Sequence, residues 1–493
     1  MRQCLRKLKV GSPKSAGSAL HGLAQVLLGC RRVRAVYAAL LIATLSACGR
    51  VGLNQRASDA SDGTGVSHAP GADAVGSPDA GAARPRCAFK GFAEPVAYTP
   101  AARSSSLRVA DMTGDGKLDI LAMGRLNNMA SLELFANTGK GGFAQALLPV
   151  AIDPNPGNLV AADFNGDGIM DLASQSNQGV DLDTDDAVLA FDFGMGPGQL
   201  AGQAVTLASP QANGFLTVGD FDGDGRPDLA FAGFNYQMKG GYVTDAGGLA
   251  LPGLVPTDFA LSVYRNAGQG AFAAPASYAT PTFPSELATG DFDGDGHLDI
   301  AELASTSSWL LGVFYNAGDG SFAGEATFGP DPEWGGLGLG VADFDGDGID
   351  DLVTPTYLGS DAGDKAIVIE VWRGARDRSF TMVSTEIAAV PDVYQLATGD
   401  FDGDGTPDIA LALQPRGRGG PAPPVPIAVY TSQGDGTFTE RTVSYLSDAT
   451  ELLTNAIVGG DFNGDGVADI AVVTTGRFSP YPVALHVLLS RCE

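Results

Sequence analysis

The chain has 493 residues, of which 68 are glycine and 44% hydrophobic, and it carries a formal charge of −27. This composition suits a β-rich globular protein with many tight turns. The charge argues against a nucleic-acid binder, because phosphate would be repelled, and favours a protein that takes up divalent cations.

The first segment is the basic exception. Residues 1–47 hold eight Lys/Arg and no acid, and without them 22 basic residues face 57 acidic ones, a net of −35. Arg31, Arg32 and Arg34 precede an apolar run, AVYAALLIATL at 35–45, and then Leu45-Ser46-Ala47-Cys48. A charged region, a short apolar run and small residues predict a secretory signal peptide over 1–47. The run is too short to span a bilayer as a helix. LSAC resembles the bacterial lipobox, and the resemblance implies a lipid anchor on Cys48 and a place in the cell envelope. Gly49 after the Cys, where some bacteria use Asp for inner-membrane retention, favours the outer membrane. An ordinary cut near Ala47 is the alternative. Residues 48–86 are rich in Ala, Gly, Ser, Asp and Pro with almost no large apolar residue. They predict a disordered tether.

From residue 87 to 493 one nine-residue phrase, of the form DFDGDGxxD, recurs. It begins at Asp111, Asp163, Asp220, Asp291, Asp343, Asp400 and Asp461, at intervals of 52 to 71 residues. Each copy lies between two strand-like runs, such as FLTVG before and DLAFAG after. A third run follows (LSVYRN at 261–266, LGVFYN at 311–316, IAVYTS at 427–432), then a Gly-rich turn ending in Phe (NAGQGAF, NAGDGSF, SQGDGTF) and a fourth run. Four strands per repeat at this period predict the blades of a β-propeller, and seven phrases predict seven blades.

These motifs resemble the FG-GAP (VCBS) repeat family, whose best-known fold is the integrin α-subunit propeller. The resemblance implies an all-β, seven-bladed ring of four-stranded blades. Blade 2 (DDAVLAFDFGMGPGQL) lacks the NxGxGxF turn, and blade 5 has WRGARDRSF in its place. The last blade runs out of chain after VALHVLL at 483–489, while CAFKGFAEPVAY at 87–98 looks like the turn and fourth strand GQGAFAAPASY at 268–278. The N-terminal strand is therefore expected to complete the last blade and to remove open sheet edges. Aligning the repeats puts Cys87 and Cys492 in the same third-to-fourth-strand turn, which implies a disulfide between them in an oxidising compartment.

The phrase has the oxygen spacing of a calcium loop: carboxylates at positions 1, 3, 5 and 9, a backbone carbonyl at 7, and a turn-permitting glycine at 6. The predicted ligands are Asp111, Thr113, Asp115, Lys117 and Asp119 in blade 1, and Asp163, Asn165, Asp167, Ile169 and Asp171 in blade 2. Blade 3 offers Asp220, Asp222, Asp224, Arg226 and Asp228; blade 4 offers Asp291, Asp293, Asp295, His297 and Asp299. Blade 5 offers Asp343, Asp345, Asp347, Ile349 and Asp351; blade 6, Asp400, Asp402, Asp404, Thr406 and Asp408; blade 7, Asp461, Asn463, Asp465, Val467 and Asp469. In each set the fourth residue lends only its carbonyl. Hard oxygens without His or Cys favour Ca²⁺ over zinc or copper, and the ligand number favours it over Mg²⁺. Up to seven ions would take −35 to −21. Thr113 makes the first loop the weakest site. An EF-hand needs Glu at position 12 and flanking helices; only Glu302 meets the first condition, and the flanks are strands. The phenylalanine at position 2 reads as a packing residue.

The calcium loops and GxGxF turns fall on one face of the ring. The long insertions at 234–258, 357–365 and 414–426 fall on the other, where a rigid scaffold would hold binding loops. Candidate contacts there are Tyr236, Tyr242, Trp309, Trp334, Tyr357, Arg416 and Arg418. The histidines beyond residue 47 are His68, His297 and His486, and GxSxG, HExxH and Cys/His signatures are missing. The expected function is that of a non-enzymatic, calcium-stabilised binding or adhesion propeller for a protein or glycan ligand, with no nucleic-acid partner and as a monomer. The alternative is a glycosidase or lyase whose carboxylates are scattered over loops.

Overall fold

The computed structural model describes residues 89–492, apart from 127–128, 149–158, 178–186, 210, 212, 245–249, 281–282, 306–308, 330–337, 359–365, 388–391, 415–425, 446–451 and 477–482. Among the described residues every regular element is a strand, and no helix is long and apolar enough to cross a membrane. The signal segment, the tether and Cys87 lie outside the described residues.

The strands form seven four-stranded antiparallel sheets, one per phrase. Blade 1 is typical, with strands Arg103–Ala110, Asp119–Leu126, Met129–Gly139 and Gly142–Leu148 in spatial order. The phrase is the loop between the first and second strands in every blade. The first strands touch their neighbours in sequence around the centre, and that of blade 7 (Leu452–Gly460) touches that of blade 1, so the ring is closed. The fourth strands lie outermost and alternate towards solvent, as in Thr381–Ile387.

Closure follows the expected route. Val96–Tyr98 pairs antiparallel with Val483–Leu488 and supplies the fourth strand of blade 7. Phe89–Phe92 pairs with Ser490–Cys492, which repeats the small hairpin Asn266–Gly268 and Ala271–Phe272 of blade 3. The backbone of Cys492 is thereby opposite Phe89, while its side chain lies outside the described residues.

The core is divided among the seams between blades, and each of the seven seams has its own apolar cluster. Two-sided burial explains the second strands. In DIALALQ, Ile409, Leu411 and Leu413 face blade 5, while Ala410 and Ala412 face blade 7. Large residues on one face and small ones on the other let twisted blades pack around a ring. Position 2 of each phrase (Met112, Phe164, Phe221, Phe292, Phe344, Phe401, Phe462) is buried in these seams. Full burial of such a side chain contributes about 1.5–3 kcal/mol.

Blade 3 departs from the others. Its second and third strands, Asp228–Thr244 and Ala250–Tyr264, run on past the sheet as a two-stranded ribbon. Among the described residues the first strand pairs as far as Phe234, yet Tyr236 pairs with Pro256 and Tyr242 with Pro252. Most of the insertion read as a loop at 234–258 is therefore paired backbone.

Candidate metal-binding loops

Each phrase begins by wrapping the backbone around its first carboxylate. Asp111 Oδ1 accepts from the amides of Gly114 (2.7 Å) and Asp115 (3.1 Å), and Oδ2 from Gly116 (2.7 Å). Blades 2, 5 and 7 repeat all three bonds through Asp163, Asp343 and Asp461. The wrap needs left-handed backbone at positions 4 and 6, as at Gly403 (φ 70°) and Gly405 (φ 90°). Glycine adopts this conformation without steric cost. A Cβ on Gly405 would meet nothing within 4 Å, so the requirement there is conformational.

The ninth residue ties the loop to the blade. Asp299 Oδ2 accepts from the Phe292 amide (3.1 Å), and Oδ1 accepts from the Asn316 amide at the end of the third strand (2.8 Å). The Oδ1 bond recurs in every blade, from Asn137, Gly194, Asn266, Asn316, Gly374, Ser432 and Ser490. Blades 2 and 5 thus keep the turn's hydrogen bond, from Gly194 and Gly374, although both lack the Asn. The seven ninth-position aspartates are buried. Burial pushes Asp119 up to about 6, Asp171 and Asp228 to about 7, and Asp299, Asp351, Asp408 and Asp469 to about 8, despite the amides that favour the charged form.

Four loops gather three carboxylates whose oxygens lie within 4.8 Å of one another: Asp220, Asp222 and Asp228; Asp291, Asp293 and Asp295; Asp343, Asp345 and Asp347; Asp400, Asp402 and Asp404. These are the four phrases with Asp at position 3. The loops carrying Thr113, Asn165 and Asn463 form no such triplet among the described residues. Carboxylates this close repel one another, and a divalent cation among hard oxygens relieves that repulsion. The donor set fits Ca²⁺ at blade 3 in particular, where Asp222 Oδ1 is buried without a hydrogen-bond partner. The amides of position 7 donate to position 5, as from Thr406 to Asp404 (2.8 Å).

Cationic side chains also reach some loops. Lys117 pairs with Asp115 and Arg226 with Asp224. Arg373 lies 3.2 Å from Asp345, and Arg378 lies 2.7 Å from Asp293.

In the sequence the turn asparagine marks only a turn. Asn316 Nδ2 donates to Leu298 O (2.9 Å) and, in the preceding blade, to Phe221 O (2.8 Å), while its Oδ1 accepts from Gly318 (2.9 Å). Asn266 and Asn137 make the same set, to Phe164 and Phe462. The recurrence of Asn-x-Gly after the third run was the available signal.

Of the opposite-face candidates, Tyr236 and Tyr242 lie on the blade 3 ribbon, Trp309 begins the third strand of blade 4, and Tyr357 lies near the end of the second strand of blade 5. Their side chains lie outside the described residues, as do Trp334, Arg416 and Arg418 altogether.

The FG-GAP-like repeat family matches residues 111–174, 254–302, 300–354 and 417–472; the first segment contains two of the phrases and each of the others one. The chain is a seven-bladed β-propeller that carries FG-GAP-like repeats in these segments. No curated protein matches it. Among solved structures it is similar to a triple arginine-to-alanine mutant of AofleA from Arthrobotrys oligospora, at 12% identity and a TM-score of 0.36, covering 71% of this chain and 90% of that one.

Proposed function

We propose that this protein is a calcium-stabilised binding or adhesion propeller of the bacterial cell envelope, tethered by a lipid on Cys48 and closed by a Cys87–Cys492 disulfide. The observation that carries the calcium part is the set of four carboxylate triplets on one face of the ring. Asp220, Asp222 and Asp228 would hold one ion and the first, third and fifth aspartates of blades 5 and 6 two more, while the matching triplet of blade 4 is also within reach of Arg378. A bound ion supplies positive charge that offsets the clustered carboxylates and stiffens the hairpin corner. The protein's own residues do the rest: the glycines shape the loop and the ninth aspartate anchors it to the third strand.

Ligand contact is assigned to the opposite face, where the blade 3 ribbon extends beyond its sheet. A rigid ring with long loops on one rim suits recognition of a protein or a glycan. A glycan array and a cell-surface protein pull-down, each in calcium and in EDTA, test this reading. Binding that survives substitution of the loop aspartates in calcium but is lost on shortening 235–257 supports it. Turnover of a polysaccharide abolished by substituting a loop carboxylate would instead establish an enzyme.

A further inference from the structure

The turn after the third strand of each blade leans over the acidic loop of the blade before it. In blades 3, 4 and 6 its third and fifth positions are Gly268 and Gly270, Gly318 and Gly320, and Gly434 and Gly436, all at positive φ. Blade 5 has Arg376 and Arg378 at these two positions. Arg378 keeps the left-handed backbone of its glycine counterparts, at φ 64° against 72° for Gly320. A non-glycine residue held there calls for a compensating interaction.

Both guanidinium groups reach the blade 4 loop. Arg378 Nε donates to Asp293 Oδ2 at 2.7 Å, and its Nη2 lies 3.8 Å from Asp295 Oδ2. Arg376 Nη1 donates to Gly294 O at 2.7 Å. Arg378 is fixed from behind as well. Its guanidinium lies over the Tyr315 ring at 4.8 Å, and Tyr315 Oη donates to the Arg378 carbonyl at 3.2 Å. One blade earlier the same turn position is Gly320. A Cβ there would lie 3.2 Å from Asp222, but no side chain extends from it, and Asp222 Oδ1 is left without a partner.

We propose that Arg378 is a built-in cation of the blade 4 loop. Its guanidinium balances Asp293 and Asp295, whereas blade 3, whose Arg226 pairs with Asp224 outside the triplet, depends on a metal ion at Asp220, Asp222 and Asp228, so the blade 4 corner and the seam to blade 5 hold without metal. The metal half of this inference rests on the calcium reading above; the metal-free half does not.

The test restores the sister residue with Arg378→Gly, which suits the backbone and preserves folding, and adds Arg378→Gln, which keeps the backbone strain but removes the charge. Native mass spectrometry counts Ca²⁺ on the full chain, and hydrogen exchange in EDTA reports on residues 291–299. Both variants are expected to bind one more Ca²⁺ than the parent. In EDTA their 291–299 amides should exchange about tenfold faster, with 220–228 unchanged. Equal, non-zero ion counts, or unchanged exchange at 291–299, overturn the proposal. If no form binds Ca²⁺, the calcium reading fails, and the exchange result alone upholds or overturns the role of Arg378.

Discussion

Asn316 Nδ2 donates to the carbonyl of Phe221, 95 residues earlier, at 2.8 Å. The bond joins the turn of blade 4 to the acidic loop of blade 3, and the same pairing of turn and preceding loop occurs between Asn266 and Phe164 and between Asn137 and Phe462. The last of these crosses the point where the ring closes.

Replacing Asn316 with Ala leaves one buried carbonyl, one partly buried carbonyl and one amide without their partners. Each such group costs about 1–3 kcal/mol, partly recovered by relaxation, so a loss of roughly 2–4 kcal/mol is expected. Urea unfolding of the variant checks it, and a midpoint within error of the parent's would show that the clamp adds nothing.

Gly405→Ala isolates backbone strain, since its Cβ would meet no atom within 4 Å at φ 90°. The expected cost is about 1–2 kcal/mol, with weaker calcium binding by blade 6. Calorimetry of unfolding and a calcium titration measure both effects.

Acid dependence should reverse with metal content. Asp299, Asp351, Asp408 and Asp469 are raised to about 8 by burial, so the folded, metal-free state binds protons more tightly than the unfolded one. Their stabilising contribution is full below the unfolded value near 4 and is lost as pH rises through about 8. In EDTA the melting temperature should therefore fall between pH 6 and pH 9. In excess calcium it should instead fall on acidification, as protons displace the ion. Parallel melting curves in the two buffers would contradict this.

Glu302 lies buried on the second strand of blade 4, with neither carboxylate oxygen hydrogen-bonded. Burial and the neighbouring Glu325 push its carboxyl well above the usual range. Glu302→Gln removes the charge that rising pH imposes on this buried carboxyl. It should stabilise the protein more at pH 9 than at pH 5, because the raised carboxyl carries more charge at the higher pH. Unfolding curves at the two pH values separate this from a simple packing effect.

The blade count was legible because the phrase is itself the first hairpin corner of each blade, and the closing strand because Phe92 and Val96–Tyr98 repeat the spacing of Phe272 and Ala276–Ala279. The ribbon of blade 3 was not, since Gly240, Gly241, Pro252 and Pro256 all read as breakers. A register shift between Met238 and Tyr242 takes up the Lys239-Gly240-Gly241 segment. The ninth aspartate read as a ligand, but sequence carries no sign that both its oxygens also accept backbone amides. The arginines of WRGARDRSF marked an odd turn; only the neighbouring blade's loop explains them.

Thermal unfolding of the purified protein in calcium and in EDTA at pH 7.5 tests most directly whether cations hold the ring. A melting temperature higher by several degrees in calcium, rising further with calcium concentration, is the predicted result. Coincident transitions in the two buffers would contradict it.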